Sequence, residues 1–457
     1  MATIEEITDS SRPIKDIISD LQKKSIVIPP WSDLEKEYNP KKHPVMTDAS
    51  YTDKTKKGVV EKVTRITVAM QKGAVGKMTQ LAFGIPVKRV YKAKKPGEKK
   101  AAMIMENIFQ RNHINNVNIE RGKMLYAGCE VLTLWYSTQT PNNFYGEPCE
   151  LKLRCKNYSP MNEESLYPLF DDYDDMISMS VGYVRDEGGS KVEYFETYTA
   201  NKHYRWSKGD GDWVELVNEE ITLEKISGIY IWRKTPIYED TSNNVYEIEW
   251  TLSRNGNYIR KNSKPIFAVF ADEEIDMDKE KDDDFKSVFQ YPKGSDAKYI
   301  DWPQATESLR LQLENLYKAF YTQLQLPDMS FDAMKTVAMS GEARKMMFLD
   351  AQLKVVEEQG IWIEAFDREV NIIKAYMKIM FPKYANDIET LQVEQVITPY
   401  TINDEKEEVG NLSTATGGKP FMSQKEPVSR FGKAEDVEAE VQQLQTESQV
   451  SVFEPTV

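Results

Sequence analysis

Residues 302–380 constrain the chain most, because they read as helix, loop, helix. Asp301 stands just ahead of Trp302-Pro303. Proline suits the first helical turn, where its missing N–H has no partner to lose, and the carboxylate meets the positive end of the helix dipole. Leu309, Leu313, Leu316, Phe320 and Leu324 then form one stripe at helical spacing. Leu326-Pro327 ends it, since proline disfavours a helical residue before it. The next segment, DMSFDAMKTVAMSGEARK, has no clear period. Ser340 then suits the cap of a much longer helix, with Glu342 in its first turn. Its apolar positions are Met346, Leu349, Leu353 and Val356, and after Gly360 they resume at Ile363, Phe366, Val370, Ile373, Met377 and Met380. Phe381-Pro382 stops it.

A chain of 457 residues holds two to four domains or one elongated subunit of several parts. With 40% hydrophobic and 29% charged residues it can bury real cores. A net charge of −14 argues against a protein that grips nucleic acid through a basic face, though not against one that lets nucleic acid slide past. Cys129, Cys149 and Cys155 form no C-x-x-C pair, and His43, His113 and His203 lie far apart. Neither a zinc site nor a disulfide framework is expected, and the thiols read as small buried or half-exposed side chains. No run approaches the roughly 18 apolar residues that a membrane span needs. MATIEEITDSS lacks the basic start and apolar core of a signal peptide, so the chain is expected to be made and to act on the cytoplasmic side of a cell.

Taken in order, residues 1–57 read as an N-terminal arm, laid over a neighbour or loose, with a short helix over 14–21. Residues 59–82 read as a helix, FGIPVKRVY as a turn into a strand, and 98–111 and 117–127 as two further helices. Gly128 leads into CEVLTLWYS, apolar on both faces, which suits a strand covered on both sides. Residues 136–235 are β-rich, with turns at Asp186-Glu187-Gly188-Gly189 and Lys208-Gly209-Asp210-Gly211. In residues 242–264 the apolar pattern is mixed, and Asn255, Gly256 and Asn257 are poor helix formers. The segment ADEEIDMDKEKDDD holds nine carboxylates against two lysines, about half the net charge; such runs are usually solvated loops. The segments flanking it read as strands. Beyond Met380 a polar tail carries a strand in LQVEQVITPY, a capping box at Ser423 and Glu426, and a charged helix over 436–445.

Catalytic signatures are missing. Thr416-Gly417-Gly418-Lys419-Pro420 only superficially resembles a P-loop, because Ser413 and Pro420 stand where Gly and Ser or Thr are required. No G-x-S-x-G, H-E-x-x-H or H-x-x-E-H occurs, and Asp171-Asp172 and Asp174-Asp175 sit in a turn as solvated charge. No cofactor is expected, and the chain does not read as an enzyme.

The order of the segments resembles the siphovirus-type portal family of tailed bacteriophages. RITVAMQKGAVGKMTQLAFGIPVKRV is similar to that family's helix running into a G-x-P-V strand, and IFQRNHINNVNIERGKMLYAGCEVLTLWY to its helix pair before a hydrophobic strand. YPLFDDYDDMISMSVGYVR resembles the wing's strand, acidic turn and strand. MSGEARKMMFLDAQLKV resembles the start of the long wing helix, and KPFMSQKEPVSRFGKAEDVEAEVQQL the C-terminal crown helices. The chain departs from the family in two places: Arg254-Asn255-Gly256-Asn257 interrupt the first stem helix, and the clip carries an acidic insert.

The resemblance implies an α+β fold, an elongated portal-type subunit. Its parts would be an α+β wing (58–241), a first stem helix (242–264), a small β-containing clip (265–301) and a second stem helix (302–326). A tunnel loop (327–340), a long wing helix (341–381), and a helical crown with a C-terminal tail (382–457) would follow. It further implies a homo-oligomeric ring of about twelve subunits closed by heterologous contacts. Its partners would be viral double-stranded DNA in the channel, the terminase, the major capsid protein and scaffold, and a head-tail adaptor, with no membrane. The ring would sit in the virion at one capsid vertex. Lys335, the only cation of the tunnel loop, then either contacts DNA phosphate or faces solvent or a neighbouring subunit, and Arg310, Lys318 and Arg344 are further candidates. Asp272, Glu273, Glu274, Asp276, Asp278, Asp282, Asp283 and Asp284 would steer basic partner surfaces to the clip. The rival readings are a scaffold or minor capsid protein that conducts no DNA, and a hydrolase with an unrecognised site.

Overall fold

A computed structural model describes residues 4–24, 26–56, 59–209, 211–262, 266–270, 296–300, 306–328, 346, 348–400, 440–444 and 446. The chain divides into two units. One comprises Met1–Ser330 with Asp350–Tyr400, the other Phe331–Leu349 with Thr401–Val457. In the second unit residues 440–444 are helical, within the charged helix expected over 436–445. All that follows concerns the first unit, a mixed α+β fold.

It opens with the helices α1 (Ile4–Ile7), α2 (Ile14–Leu21), α3 (Trp31–Tyr38) and α4 (Pro44–Thr47), and the short strands β1 (Lys54–Lys56) and β2 (Val59–Glu61). Next come α5 (Met70–Phe83), β3 (Lys88–Tyr91), α6 (Pro96–Arg111) and α7 (Ile114–Gly128). Eight strands follow: β4 (Glu130–Asn142), β5 (Cys149–Tyr158), β6 (Ser165–Phe170), β7 (Met176–Glu187), β8 (Ser190–Thr199), β9 (Lys202–Lys208), β10 (Val214–Glu220) and β11 (Gly228–Trp232). Helix α8 (Ser242–Asn262) leads to β12 (Ile266–Phe270), and β13 (Asp296–Ile300) leads to α9 (Thr306–Gln323). The long helix α10 (Leu349–Met380), α11 (Ala385–Thr390) and β14 (Val393–Val396) complete the described elements of this unit.

Two antiparallel sheets form the framework, one of five strands in the order β10-β9-β8-β7-β6 and one of three in the order β11-β4-β5. Strand alternation gives the larger sheet two faces. One buries Leu169, Phe195, Tyr204 and Trp206 under Ile17, Ile18 and Leu21 of α2. The other packs Leu166, Met179 and Val181 against Leu132 and Tyr230 of the smaller sheet. The N-terminal segment expected as an arm over a neighbour, or as loose chain, is thus part of its own chain's core. The apolar side of α2 has a sheet to cover, and burying it is what holds the segment.

Strand β4 is the centre of the smaller sheet and is covered on both sides, as its apolar run requires: Val131, Leu132 and Trp135 are fully buried. Helices α7 and α10 lie against it. Arg121 of α7 and Glu369 of α10 form a fully buried ion pair at 2.8 Å, and the Trp135 indole N–H donates to the same Glu369 Oε1 at 3.0 Å. A strand and two helices therefore meet on one carboxylate. Around it Phe83 packs edge to face against Trp362 and Phe366, and the Trp362 N–H donates to the Tyr126 hydroxyl at 3.1 Å.

The second half of α10 buries Phe366, Val370, Ile373 and Met377, as its spacing predicts. Before Gly360 the buried residues are Ala351 and Val355, while Leu353 and Val356 stay 59% and 55% exposed. The apolar stripe over 346–356 is therefore not the face this chain buries. The helix expected over 59–82 begins only at Met70; residues 59–61 form β2, and residues 62–69 belong to neither helix nor strand. Thr64, Ile66, Thr67 and Val68 are β-branched and lose side-chain freedom in a helix.

Removing one partner of a buried pair strands the other charge. Glu369→Ala is therefore expected to lower stability by about 3–5 kcal/mol. The double replacement Arg121→Met with Glu369→Leu should cost clearly less, as read from urea denaturation followed by tryptophan fluorescence.

Candidate functional site

Helices α8 and α9 run antiparallel: Asn244 near the start of α8 donates to Gln323 at the end of α9, at 2.7 Å. Between them the chain forms an antiparallel ribbon in which Ile266 pairs with Ile300 and Phe270 with Asp296. Helix α8 buries Val245, Ile248 and Trp250, whereas Phe320 is the buried residue of α9. The rest of α9 is left largely to solvent.

Residues 62–69 form a strap across α8. Peptide N–H groups in a segment outside helix and sheet need acceptors, and α8 supplies them. Asn257 Oδ1 accepts from Thr64 N at 2.7 Å, Ser253 Oγ from Ile66 N at 2.9 Å, and Glu249 Oε1 from Val68 N at 2.8 Å. Four helical residues rise about 6 Å and two extended ones about 6.6 Å. A polar side chain every fourth residue of the helix therefore meets every second N–H of the strap. Gly256 belongs to the same fit, since a Cβ there would stand 2.9 Å from Thr64 Cγ2. The helix runs unbroken through Arg254-Asn255-Gly256-Asn257, and the interruption expected there does not occur. The poor helix formers at 256 and 257 are the residues that let the strap approach and hold it.

Arg65 closes the strap from the other side. Its guanidinium donates to the carbonyls of Val45 at 2.6 Å and Met46 at 2.8 Å, and to those of Asp48 and Tyr51. Tyr51 packs edge-on to Trp250 of α8, centroids 4.8 Å apart. His43, almost fully buried, donates from Nδ1 to Glu249 at 2.6 Å and from Nε2 to the Glu37 carbonyl at 2.8 Å. Both ring nitrogens face acceptors, which fits the doubly protonated imidazolium. Burial opposes that charge, but the hydrogen bond to Glu249 and its carboxylate charge outweigh it and raise the His43 pKa.

The C-terminal end of α9 is held by two lysines. Lys354 of α10 donates to the Leu324 carbonyl at 2.7 Å, and Lys77 of α5 to that of Pro327 at 3.2 Å. Cations at a helix C-terminus satisfy its orphan carbonyls and complement its dipole. Burial pushes both ammonium pKa values down.

Of the residues singled out in the sequence, Arg310 and Lys318 lie exposed on α9. Arg310 is bracketed by Glu307 at 2.9 Å and Glu314 at 2.8 Å, and those two glutamates balance the helix's two cations. Lys335, Arg344 and the acidic run 272–284 fall outside the described residues. The sequence reading missed His43, Arg65, Lys77, Lys354 and the ladder of Glu249, Ser253 and Asn257. Only the ladder had a signal, its spacing of four within an otherwise apolar face. Among the described residues no cluster of His, Cys, Asp or Glu could hold a metal ion, and no helix is long and apolar enough to cross a membrane.

Ser253→Ala removes the acceptor of a part-buried N–H and should cost about 1–3 kcal/mol, with faster hydrogen exchange at the Ile66 amide. The raised His43 pKa stabilises the fold fully below the unfolded value of about 6.5, and this contribution disappears as pH rises through the folded value. His203 titrates with the same sign, since Glu196 and Glu219 outweigh its burial. Comparing stability-versus-pH curves of the native chain and His43→Gln isolates the His43 share: the variant should lose part of the decline above about pH 6.5.

The sequence matches the family described as phage portal protein, SPP1 Gp6-like, over residues 29–452. No curated protein matches it. Among solved structures, a chain from the neck of an empty GTA particle, computed with C6 symmetry, is similar at 11% identity and a TM-score of 0.41, covering 91% of this chain and 98% of that one. A chain from the native GTA neck, computed with C12 symmetry, is similar at 11% identity and a TM-score of 0.40, with the same coverage. A chain from the virion of the native gene transfer agent (GTA) particle is similar at 10% and 0.39, again with that coverage. The family match takes in nearly the whole sequence, and the chain belongs to the SPP1 Gp6-like family of phage portal proteins.

Proposed function

We propose that the chain is the subunit of a closed ring of about twelve copies that occupies one vertex of a capsid and conducts double-stranded DNA. A separate terminase packages the genome through the central channel, and the genome later leaves by the same route. The major capsid protein and scaffold surround the ring, and a head-tail adaptor docks on its outer end. The family match over residues 29–452 carries this reading. The family is a structural one, and the chain acts as a conduit, not as an enzyme.

In this reading α8 and α9 are the stem, the ribbon of β12 and β13 with the acidic segment between them is the clip, and residues 327–340 are the tunnel loop. The charge balance of α9 supports it. A wall dense in cations would bind phosphates by counterion release and stall transport, whereas a helix whose glutamates already bracket Arg310 leaves duplex free to slide. The strap and the two lysines at 77 and 354 would hold the stem and the loop's entry rigidly to the wing. Lys335 remains the loop's one candidate phosphate contact. Lys335→Glu should leave ring assembly intact and reduce DNA packaged per particle in a terminase-driven packaging assay. Normal packaging by that variant would remove Lys335 from the mechanism.

A further inference from the structure

Away from the helix pair, the C-terminal end of α6, the two residues joining it to α7 and the β4–β5 hairpin line a cavity of about 440 Å³. Arg111, His113, Lys152 and Arg154 line it, and no carboxylate does among the described residues. That is unusual in a chain of net charge −14. Lys152 pairs across the sheet with Thr138 and Arg154 with Tyr136. Two residues apart on one strand, their side chains leave from the same face.

Among the described residues, none of Arg111, Lys152 and Arg154 forms a salt bridge. Two carboxylates flank this lining on the hairpin: Glu147 is already held by Lys383 at 2.7 Å and Lys100 at 3.1 Å, and Glu150, on the same face of β5 as Lys152, lies outside the lining of the cavity. The two lysine contacts bring the Glu147 pKa down to about 2. An aromatic ring takes the place of a counterion. Arg111 and Lys152 lie 5.1 and 5.3 Å from the centroid of Phe144, which is 39% exposed. The frame beneath is fixed: Asn112 donates to the carbonyls of Ile108 at 2.9 Å and Leu153 at 3.2 Å, tying the end of α6 to β5. Arg111 also complements the helix dipole of α6, but that does not account for Lys152 and Arg154.

We propose that this pocket docks an acidic segment of a partner polypeptide. Its carboxylates would pair with Arg111, Lys152 and Arg154, and an apolar or aromatic side chain would lie against Phe144. The guanidinium fork matches a carboxylate, and a basic spot on an acidic protein steers such a partner to one place. Duplex DNA presents its phosphates on a convex cylinder, which spans the mouth of a cavity this size without entering it.

The test uses the full-length protein and a fluorescein-labelled Glu-Glu-Phe-Glu-Asp-Glu peptide, with anisotropy read at low and at moderate salt. Saturable binding is expected, weakened about tenfold or more in Arg111→Ala with Arg154→Ala and in the single variant Arg154→Gln, and unchanged in Lys72→Ala. Circular dichroism melts of the variants should overlay the native curve. Peptide binding that is absent, or equal in the variants, overturns the proposal. So does a labelled DNA duplex that binds through the same residues, which would make this a nucleic-acid face. A fall in assembly mass in the double variant also overturns it, because the patch would then be a contact between copies. Ring formation is read separately by mass, so failure here is distinct from failure of the portal reading.

Discussion

A backbone segment outside helix and sheet must still find acceptors for its N–H groups, and the placement of the helix pair depends on how this chain meets that requirement. Thr64, Ile66 and Val68 have no strand beside them, and Asn257, Ser253 and Glu249 answer them one by one along α8. Glu249 also accepts from His43. A single carboxylate thereby joins the N-terminal segment, the strap and the helix. Arg65 gathers the carbonyls on the far side. Each hydrogen bond contributes modestly, but losing one leaves a polar group unpaired in a part-buried place, and that asymmetry makes the arrangement specific.

A second polar node does the same for the sheet-containing body. Glu369 receives Arg121 and Trp135 in a site with no solvent. A buried pair is weak evidence for net stability. What it fixes is the register of α7 and α10 against β4. With Lys354 and Lys77 capping the end of α9, the body holds the helix pair at both ends: the strap grips α8, and the lysines grip the exit of α9.

Much of this was legible in the sequence, and the misses share a cause. Period alone located β4, α6, α7 and the second half of α10, because each buries the apolar positions its spacing marks; it located α9 too, although Phe320 is the buried residue of that helix. It fails at residues 59–69, where an apolar, β-branched run reads as part of the following helix. The acceptors that hold this run lie about 190 residues later in sequence, beyond any window. It fails again at Asn255-Gly256-Asn257. Propensity argues for a break there, while the tertiary fit at Thr64 demands those small and polar residues. The stripe Leu353 and Val356 was read correctly as apolar, but a single chain leaves it uncovered. Periodicity does not say whether the cover comes from the same chain. The basic cavity at Arg111, Lys152 and Arg154 drew no notice, since its members are scattered over two elements and carry no motif.

The proposed function requires that this chain close into a ring around a channel for duplex DNA. Negative-stain imaging of the purified protein, with mass determination alongside, tests it most directly. Closed rings of about twelve copies with a central hole wide enough for a hydrated duplex are expected. A compact dimer without a hole, stable across protein concentrations, would contradict it.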